Sequence, residues 1–174
     1  GNGAGRCRPV PGFKLMARAL ILTLLLVLQA SPAQSDEITG KGRAIDGDSL
    51  TIDGAEIRLY GIDAPELAQT CTTKKGKLQQ CGDLARQMLD TLTKNVNVKC
   101  QTQTTDTDGK MAAICFAGPF DINEQMVAAG WAFPLMNEVA AYERAEKFAR
   151  ARAEGIWRGT FIPPAQWREQ NPGQ

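Results

Sequence analysis

The 174-residue chain contains no histidine. That absence removes Ser-His-Asp and Cys-His arrangements, histidine nucleophiles and histidine general bases, so hydrolytic chemistry here must run on carboxylates, cations and any metal they hold. No CxxC pair occurs either. With neither that spacing nor a histidine, a zinc site on the cysteines is the lesser rival to their pairing as disulfides. A metal held only by carboxylate and carbonyl oxygens would be a hard one, calcium or magnesium. Tyrosine is almost missing, with Tyr60 and Tyr142 its two occurrences. There is no internal repeat and no long low-complexity tract.

A net excess of positive charge is also lacking, once the first part of the chain is set aside. Residues 16 to 33, "MARALILTLLLVLQASPA", read as a secretory signal. Arg18 supplies the positive region, Ala19 to Leu28 the apolar stretch, and Ser31-Pro32-Ala33 a small-residue cleavage site, with cleavage expected after Ala33. The apolar run is shorter than the roughly 20 residues a spanning helix needs, and Gln29, Ser31 and Pro32 interrupt it. The segment before Met16 is Gly/Pro/Arg-rich and patternless, and no function is assigned to it. Arg6, Arg8, Lys14 and Arg18 lie in residues 1–33 and no acidic residue does, which leaves 16 basic and 19 acidic residues, a net charge of −3. Such a balance exerts no general pull on polyanions, so any nucleic-acid contact must come from a local basic patch. The 141 residues that follow suit one domain with its own core. Residues 34–159 are expected to form it, with 160–174 as a proline-broken tail carrying Trp167 on the surface.

An exported chain meets an oxidising compartment, the periplasm or the exterior, so Cys71, Cys81, Cys100 and Cys115 are expected to form two disulfides. Four cysteines allow three connectivities. The favoured one joins Cys71 to Cys81 across a short loop and Cys100 to Cys115 across two strands linked by an Asp108-Gly109 turn.

The residues after the leader divide into a strand-rich half and a helical half. "ITGKGRAI", "SLTID" and "AEIRLYGI" alternate partially and are punctuated by Asp46-Gly47 and Asp53-Gly54, dipeptides of tight hairpins. They predict a three-stranded meander. Gly82 to Lys94 places Leu84, Met88 and Leu92 at helical spacing, with Leu89 widening the face. "NVNVKCQTQ" and "KMAAICF" predict a second strand pair. Helices are expected over Asp121 to Ala129, with an acidic cap, and over Glu138 to Glu154, with Gly155 as the stop. Five strands with a helix after the third and more helices behind suggest a small α+β closed barrel of the oligonucleotide/oligosaccharide-binding (OB) type.

The stretch "AIDGDSLTIDGAEIRLYGIDAPE" resembles the staphylococcal nuclease (thermonuclease) family, whose hallmark is an Asp-Gly-Asp-Thr/Ser turn followed by Arg-Leu-x-Gly-Ile-Asp-x-Pro-Glu. The matching residues are Asp46, Gly47, Asp48, Ser49, Arg58, Leu59, Gly61, Ile62, Asp63, Pro65 and Glu66. The likeness continues through "DTDGK", "INEQMVAAGWA" and "ARAEGIW". It implies a five-stranded OB-type barrel with three helices. It also implies that Asp48, Asp63 and the carbonyl of Ala64 bind calcium, that Glu66 positions or deprotonates the attacking water, and that Arg58 grips the phosphate. The spacing makes chemical sense by itself, because Asp48 after a turn and Asp63 at a strand end can meet across a hairpin as ligands of one hard cation. Pro65 fixes its own φ and biases Ala64 to an extended conformation, which stiffens the turn. Taken singly, Asp46, Asp48 and Asp63 read as turn residues and Arg58 as an ion-pair partner of Glu56 or Glu66. A calcium loop of the EF-hand type is excluded, since counting from Asp106 puts Ala117 where a glutamate is required.

Two departures from the family pattern fall on chemistry. Its usual Asp-x-Tyr-Gly-Arg is here Asp106-Thr107-Asp108-Gly109-Lys110, which keeps a charge at Lys110 but loses the planar fork that holds phosphate bidentately. The family's stacking tyrosines after its second helix are also missing, which leaves Trp131 and Phe133 as substitutes or as core residues. The first expectation is an exported calcium-dependent nuclease acting on single-stranded DNA or RNA, monomeric and without stable membrane association. The alternative is a non-cutting OB module that serves as an accessory protein in the cell envelope, as befits relatives labelled succinoglycan or exopolysaccharide biosynthesis proteins.

Overall fold

The computed structural model describes residues 1–3, 5, 36–105, 110–135 and 139–173. The signal segment, its cleavage point and the Asp108-Gly109 turn lie outside these.

The strands are β1 (Glu37–Ala44), β2 (Ser49–Ile52), β3 (Ala55–Leu59), β4 (Ile62–Asp63), β5 (Thr70–Thr73), β6 (Leu78–Gln80), β7 (Asn97–Thr105), β8 (Met111–Ala117), β9 (Phe120–Asp121), β10 (Phe133–Pro134) and β11 (Gly159–Thr160). The main sheet runs β3-β2-β1-β7-β8-β9, and β3 also pairs with β8 in parallel. That extra pairing closes a five-stranded barrel from β1, β2, β3, β7 and β8, the OB-type architecture the sequence suggests. Alternation fills it: Leu50, Ile52, Ile57, Leu59 and Val98 point inward and are fully buried, while Glu56 and Arg58 on β3 point out. The two predicted turns differ. Asp53 and Gly54 both take positive φ, 50° and 87°, as a two-residue hairpin requires. Asp46-Gly47 instead lies in a wider loop closed by the Ile45 N–H donating to the Ser49 carbonyl at 2.8 Å.

Among the described residues four helices pack around the barrel: α1 (Cys81–Thr93), α2 (Ile122–Ala128), α3 (Ala140–Arg152) and α4 (Pro164–Gln170). Three were expected. On α1 the buried stripe is Ala85, Leu89 and Thr93, with Met88 and Leu92 at its margin. It is rotated by about one residue from the stripe read off the leucines, because the small Ala85 lets the helix approach Gly47 closely. Asp121 caps α2 by accepting the Glu124 N–H at 3.0 Å and also accepts the buried Tyr142 hydroxyl at 2.9 Å. Burial and the Asp121 charge raise the Tyr142 pKa. The expected start of α3 at Glu138 lies outside the described residues. Its stop is Ala153 in the left-handed conformation (φ 53°) rather than Gly155.

Both favoured disulfides form. Cys100 and Cys115 face each other directly across β7 and β8 inside the barrel, with Cα atoms 4.0 Å apart. Cys71 and Cys81 join the start of the β5-β6 hairpin to the start of α1, with Cα atoms 5.8 Å apart. Together with Ile156 they form a second small core, against which Phe133, Trp157 and Phe161 pack. The tail departs from expectation: α4 is helical with proline in its first turn, and Trp167 is 8% exposed rather than on the surface. An apolar ring of that size gains more by covering the domain than by facing water.

Candidate active site

The loop between β1 and β2 and the end of β4 meet because glycine stands at position 47. A Cβ there would lie 2.6 Å from the Ala64 side chain and 2.7 Å from that of Ala85. Two further contacts fix the loop. Asp46 Oδ1 accepts the Asp48 N–H at 2.9 Å, a local turn bond, and the Leu59 N–H donates to the Asp48 carbonyl at 2.7 Å. Asp46 thus performs turn chemistry.

Asp48 is thereby aimed at the end of β4. Its Oδ2 accepts the Ala64 N–H at 3.0 Å, and its Oδ1 accepts the Ser49 hydroxyl at 3.1 Å. Asp48 and Asp63 are 8% and 5% exposed, and the Arg58 guanidinium stands between them. One nitrogen, Nη2, lies 3.6 Å from Asp48 Oδ2 and 3.7 Å from Asp63 Oδ1. Arg58 pairs with these two acids and not with Glu56 or Glu66. Burial pushes the Asp48 carboxyl up to about 6; the nearby Arg58 charge and the Ala64 N–H oppose that shift, while Asp46 and Asp63 add to it.

Asp48, Ser49, Arg58 and Ala64 line a cleft of about 500 Å³ that also includes Glu56, Glu66, Lys110 and Arg168, and Arg58 links Asp63 to it. Lys110 reaches it because β3 and β8 run in parallel register, Ile57 beside Met111 and Arg58 beside Ala112. Its Nζ lies 3.5 Å from Glu56 Oε1. Of the candidate site residues, Asp48, Arg58, Ala64, Glu66 and Lys110 therefore line one cleft, with Asp63 reached through Arg58. Trp131 and Phe133 do not join them. Phe133 packs with its ring centroid 5.5 Å from those of both Trp157 and Phe161, and Trp131 packs between the two cores.

Arg168, outside every motif of the sequence, joins the cleft residues. Its Nη1 donates to Asp63 Oδ1 at 2.9 Å and to Glu66 Oε1 at 2.7 Å, and its Nη2 donates to Asp63 Oδ2 at 3.0 Å. The bonds to Asp63 hold its guanidinium still more firmly protonated than an ordinary arginine. No local signal marks Arg168, which follows a tryptophan in a proline-rich tail. A buried glutamine ties that tail down, since Gln69 Oε1 accepts the Glu66 N–H at 3.2 Å and Gln69 Nε2 donates to the Ile162 carbonyl at 2.6 Å.

Two buried carboxylates, Asp48 and Asp63, are oxygen donors of the kind that suits a hard divalent cation. Among the described residues no group of three or more Asp, Glu, His or Cys side chains forms a metal-ligating cluster. A cation bound by the pair would complete its shell with carbonyl and water oxygens.

The model of the staphylococcal nuclease homologue family matches residues 56–159. The chain belongs to that family. Arg58, Asp63, Glu66 and Lys110 fall inside the match, Asp48 precedes it and Arg168 follows it. The chain is 30% identical over 143 residues to the succinoglycan biosynthesis protein ExoI of Rhizobium meliloti, covering 80% of this chain and 74% of that one. It is 28% identical over 167 residues to an uncharacterized endonuclease of Haemophilus influenzae, covering 90% and 88% respectively. The domain is thus a nuclease-like module. Among the described residues no helix is long and apolar enough to cross a membrane.

Proposed function

We propose that this nuclease homologue is an exported, calcium-dependent phosphodiesterase that cleaves single-stranded DNA or RNA as an endonuclease. The observation that carries the reading is the convergence of Arg58 on both Asp48 and Asp63 in a cleft that also holds Glu66. Asp48, Asp63 and the Ala64 carbonyl hold the cation, which when bound neutralises charge on a non-bridging phosphate oxygen. Arg58, whose side chain is 53% exposed, has donors available to grip the phosphate bidentately. Glu66 orients a water molecule and accepts its proton as the new oxygen–phosphorus bond forms and the ester bond breaks. Lys110 adds a point charge to the same cleft. The leader and the two disulfides support a periplasmic or secreted location, with the mature chain acting as a monomer free of the membrane.

The test is hydrolysis of single-stranded DNA and RNA by the oxidised protein, with calcium and with chelator, beside the Glu66→Gln variant. Calcium-dependent cleavage that falls by roughly 10²- to 10⁴-fold in the variant supports the enzyme. Cleavage no faster than the variant's ends that reading.

A second reading, a non-cutting module of the cell envelope, is favoured by one observation. No aromatic side chain lines the described cleft, so nothing there stacks a base, a contact worth about 1–3 kcal/mol per base. The similarity to a succinoglycan biosynthesis protein accords with it. In that case the oxidised protein would bind an envelope polysaccharide and leave nucleic acid uncut.

A further inference from the structure

A guanidinium that bonds two carboxylates assigned to different tasks couples their positions. Arg168 does this in the cleft: Nη1 bridges Asp63 Oδ1 and Glu66 Oε1, and Nη2 takes the other oxygen of Asp63. The arrangement is built rather than incidental. Trp167 and Pro164, on the same short helix, are buried, and Gln69 joins the Glu66 backbone to the Ile162 carbonyl just ahead of that helix. The Glu66 segment is itself clamped from below. Gly82 at the start of α1 lies so close to the Glu66 carbonyl that a Cβ would overlap it, and the Gly82 N–H donates to the Gln69 carbonyl at 3.2 Å. Backbone and side chain of Glu66 are therefore held by separate partners, the backbone by Gln69 and the side chain by Arg168.

We propose that Arg168 is a positioning residue for Glu66, the group that fixes the water-activating carboxylate relative to Asp63. The proposal rests on the nuclease reading above. A free glutamate side chain samples several rotamers, and a base that must meet one water in line with one ester bond loses rate for every other rotamer it visits. Bridging Glu66 to the buried, immobile Asp63 removes that freedom. An arginine can do so while leaving lone pairs on both carboxylates for other partners, since it makes three bonds here from five N–H donors. Metal-ligating carboxylates are commonly hydrogen-bonded by such a second partner, and its loss costs about 10- to 100-fold in metal affinity or activity. The site thus contains a second guanidinium although lysine occupies position 110.

The experiment compares wild type, Glu66→Gln, Arg168→Ala and Arg168→Lys, all as the full oxidised chain with calcium. In Arg168→Ala, kcat should fall about 10- to 100-fold with KM changed little. Arg168→Lys should recover part of the loss, because an ammonium can still bridge Asp63 and Glu66. Added guanidinium ion should restore turnover to the alanine variant and leave the wild type unaffected. The rise in Tm on adding calcium should survive in Arg168→Ala, since Asp48 and Asp63 remain. Turnover equal to or faster than wild type overturns the proposal, the faster case marking Arg168 as an internal competitor for the carboxylates. Loss of the calcium-induced rise in Tm overturns it as well, because Arg168 would then be building the cation site. If wild type cuts no faster than Glu66→Gln, the nuclease reading itself fails and this inference falls with it.

Discussion

Asp48 Oδ2 accepts the Ala64 N–H at 3.0 Å, a bond that ties the loop before β2 to the residue following Asp63, 16 positions along the chain. It brings the two buried carboxylates to one guanidinium, and their charge governs how the site responds to pH and to cations.

With chelator present, Asp48 governs how stability responds to pH. Its carboxyl is pushed up to about 6 by burial, above an unfolded value of about 3.9. The fold therefore favours the protonated form, and the ionised form reduces stability above about pH 6. That cost is relieved as pH falls from 6 toward 4. At pH 7 it amounts to about 3 kcal/mol. Asp48→Asn keeps an acceptor for the Ala64 N–H and gains a donor for the Ser49 hydroxyl, so its Tm should exceed wild type by several degrees at pH 7. The gap should close near pH 4. Calcium should raise the Tm of wild type and leave the variant almost unmoved. Thermal melts at three pH values check both statements.

Lys110 provides the second prediction. Its ammonium lies 3.5 Å from Glu56 in the cleft that Arg58 lines. An arginine there would offer a planar fork to the phosphate, a charge-assisted contact worth about 1.5–3 kcal/mol. Lys110→Arg should therefore raise kcat by about tenfold or more. A module that does not bind nucleic acid would remain silent, so steady-state cleavage rates separate the two readings of the chain.

The disulfides give the third. Both sulfurs of the Cys100–Cys115 pair are fully buried in the barrel, whereas Cys71 is slightly exposed at the edge of the smaller core. The first bridge spans 15 residues and the second 10. Loops of such length stabilise a fold by about 3 kcal/mol. Mild reduction should open Cys71–Cys81 first, as mass-tagging of free thiols would show. Replacing Cys100 and Cys115 together by alanine should lower Tm more than replacing the other pair, because it also leaves a cavity in the main core.

The sequence by itself determined the strands of the barrel, the Asp53-Gly54 hairpin, the acidic cap of α2 and the motif that brings Asp48, Arg58 and Asp63 together. Each of these is written locally. Alternation with a period of two, a turn dipeptide or a capping residue exerts its effect within a few positions, and β2 and β3 are neighbours joined by a tight turn. The tertiary structure alone decided the rest. The parallel contact of β3 with β8 closes the barrel and brings Lys110 beside Glu56. The rotation of α1 follows from Ala85 packing toward Gly47, not from the leucines that mark its amphipathic pattern. Arg168 is the clearest case: it reaches Asp63 across 105 residues of chain. Its position depends on the burial of Trp167 and Pro164 and on the Gln69 bond to the Ile162 carbonyl, contacts that exist only once the chain has folded.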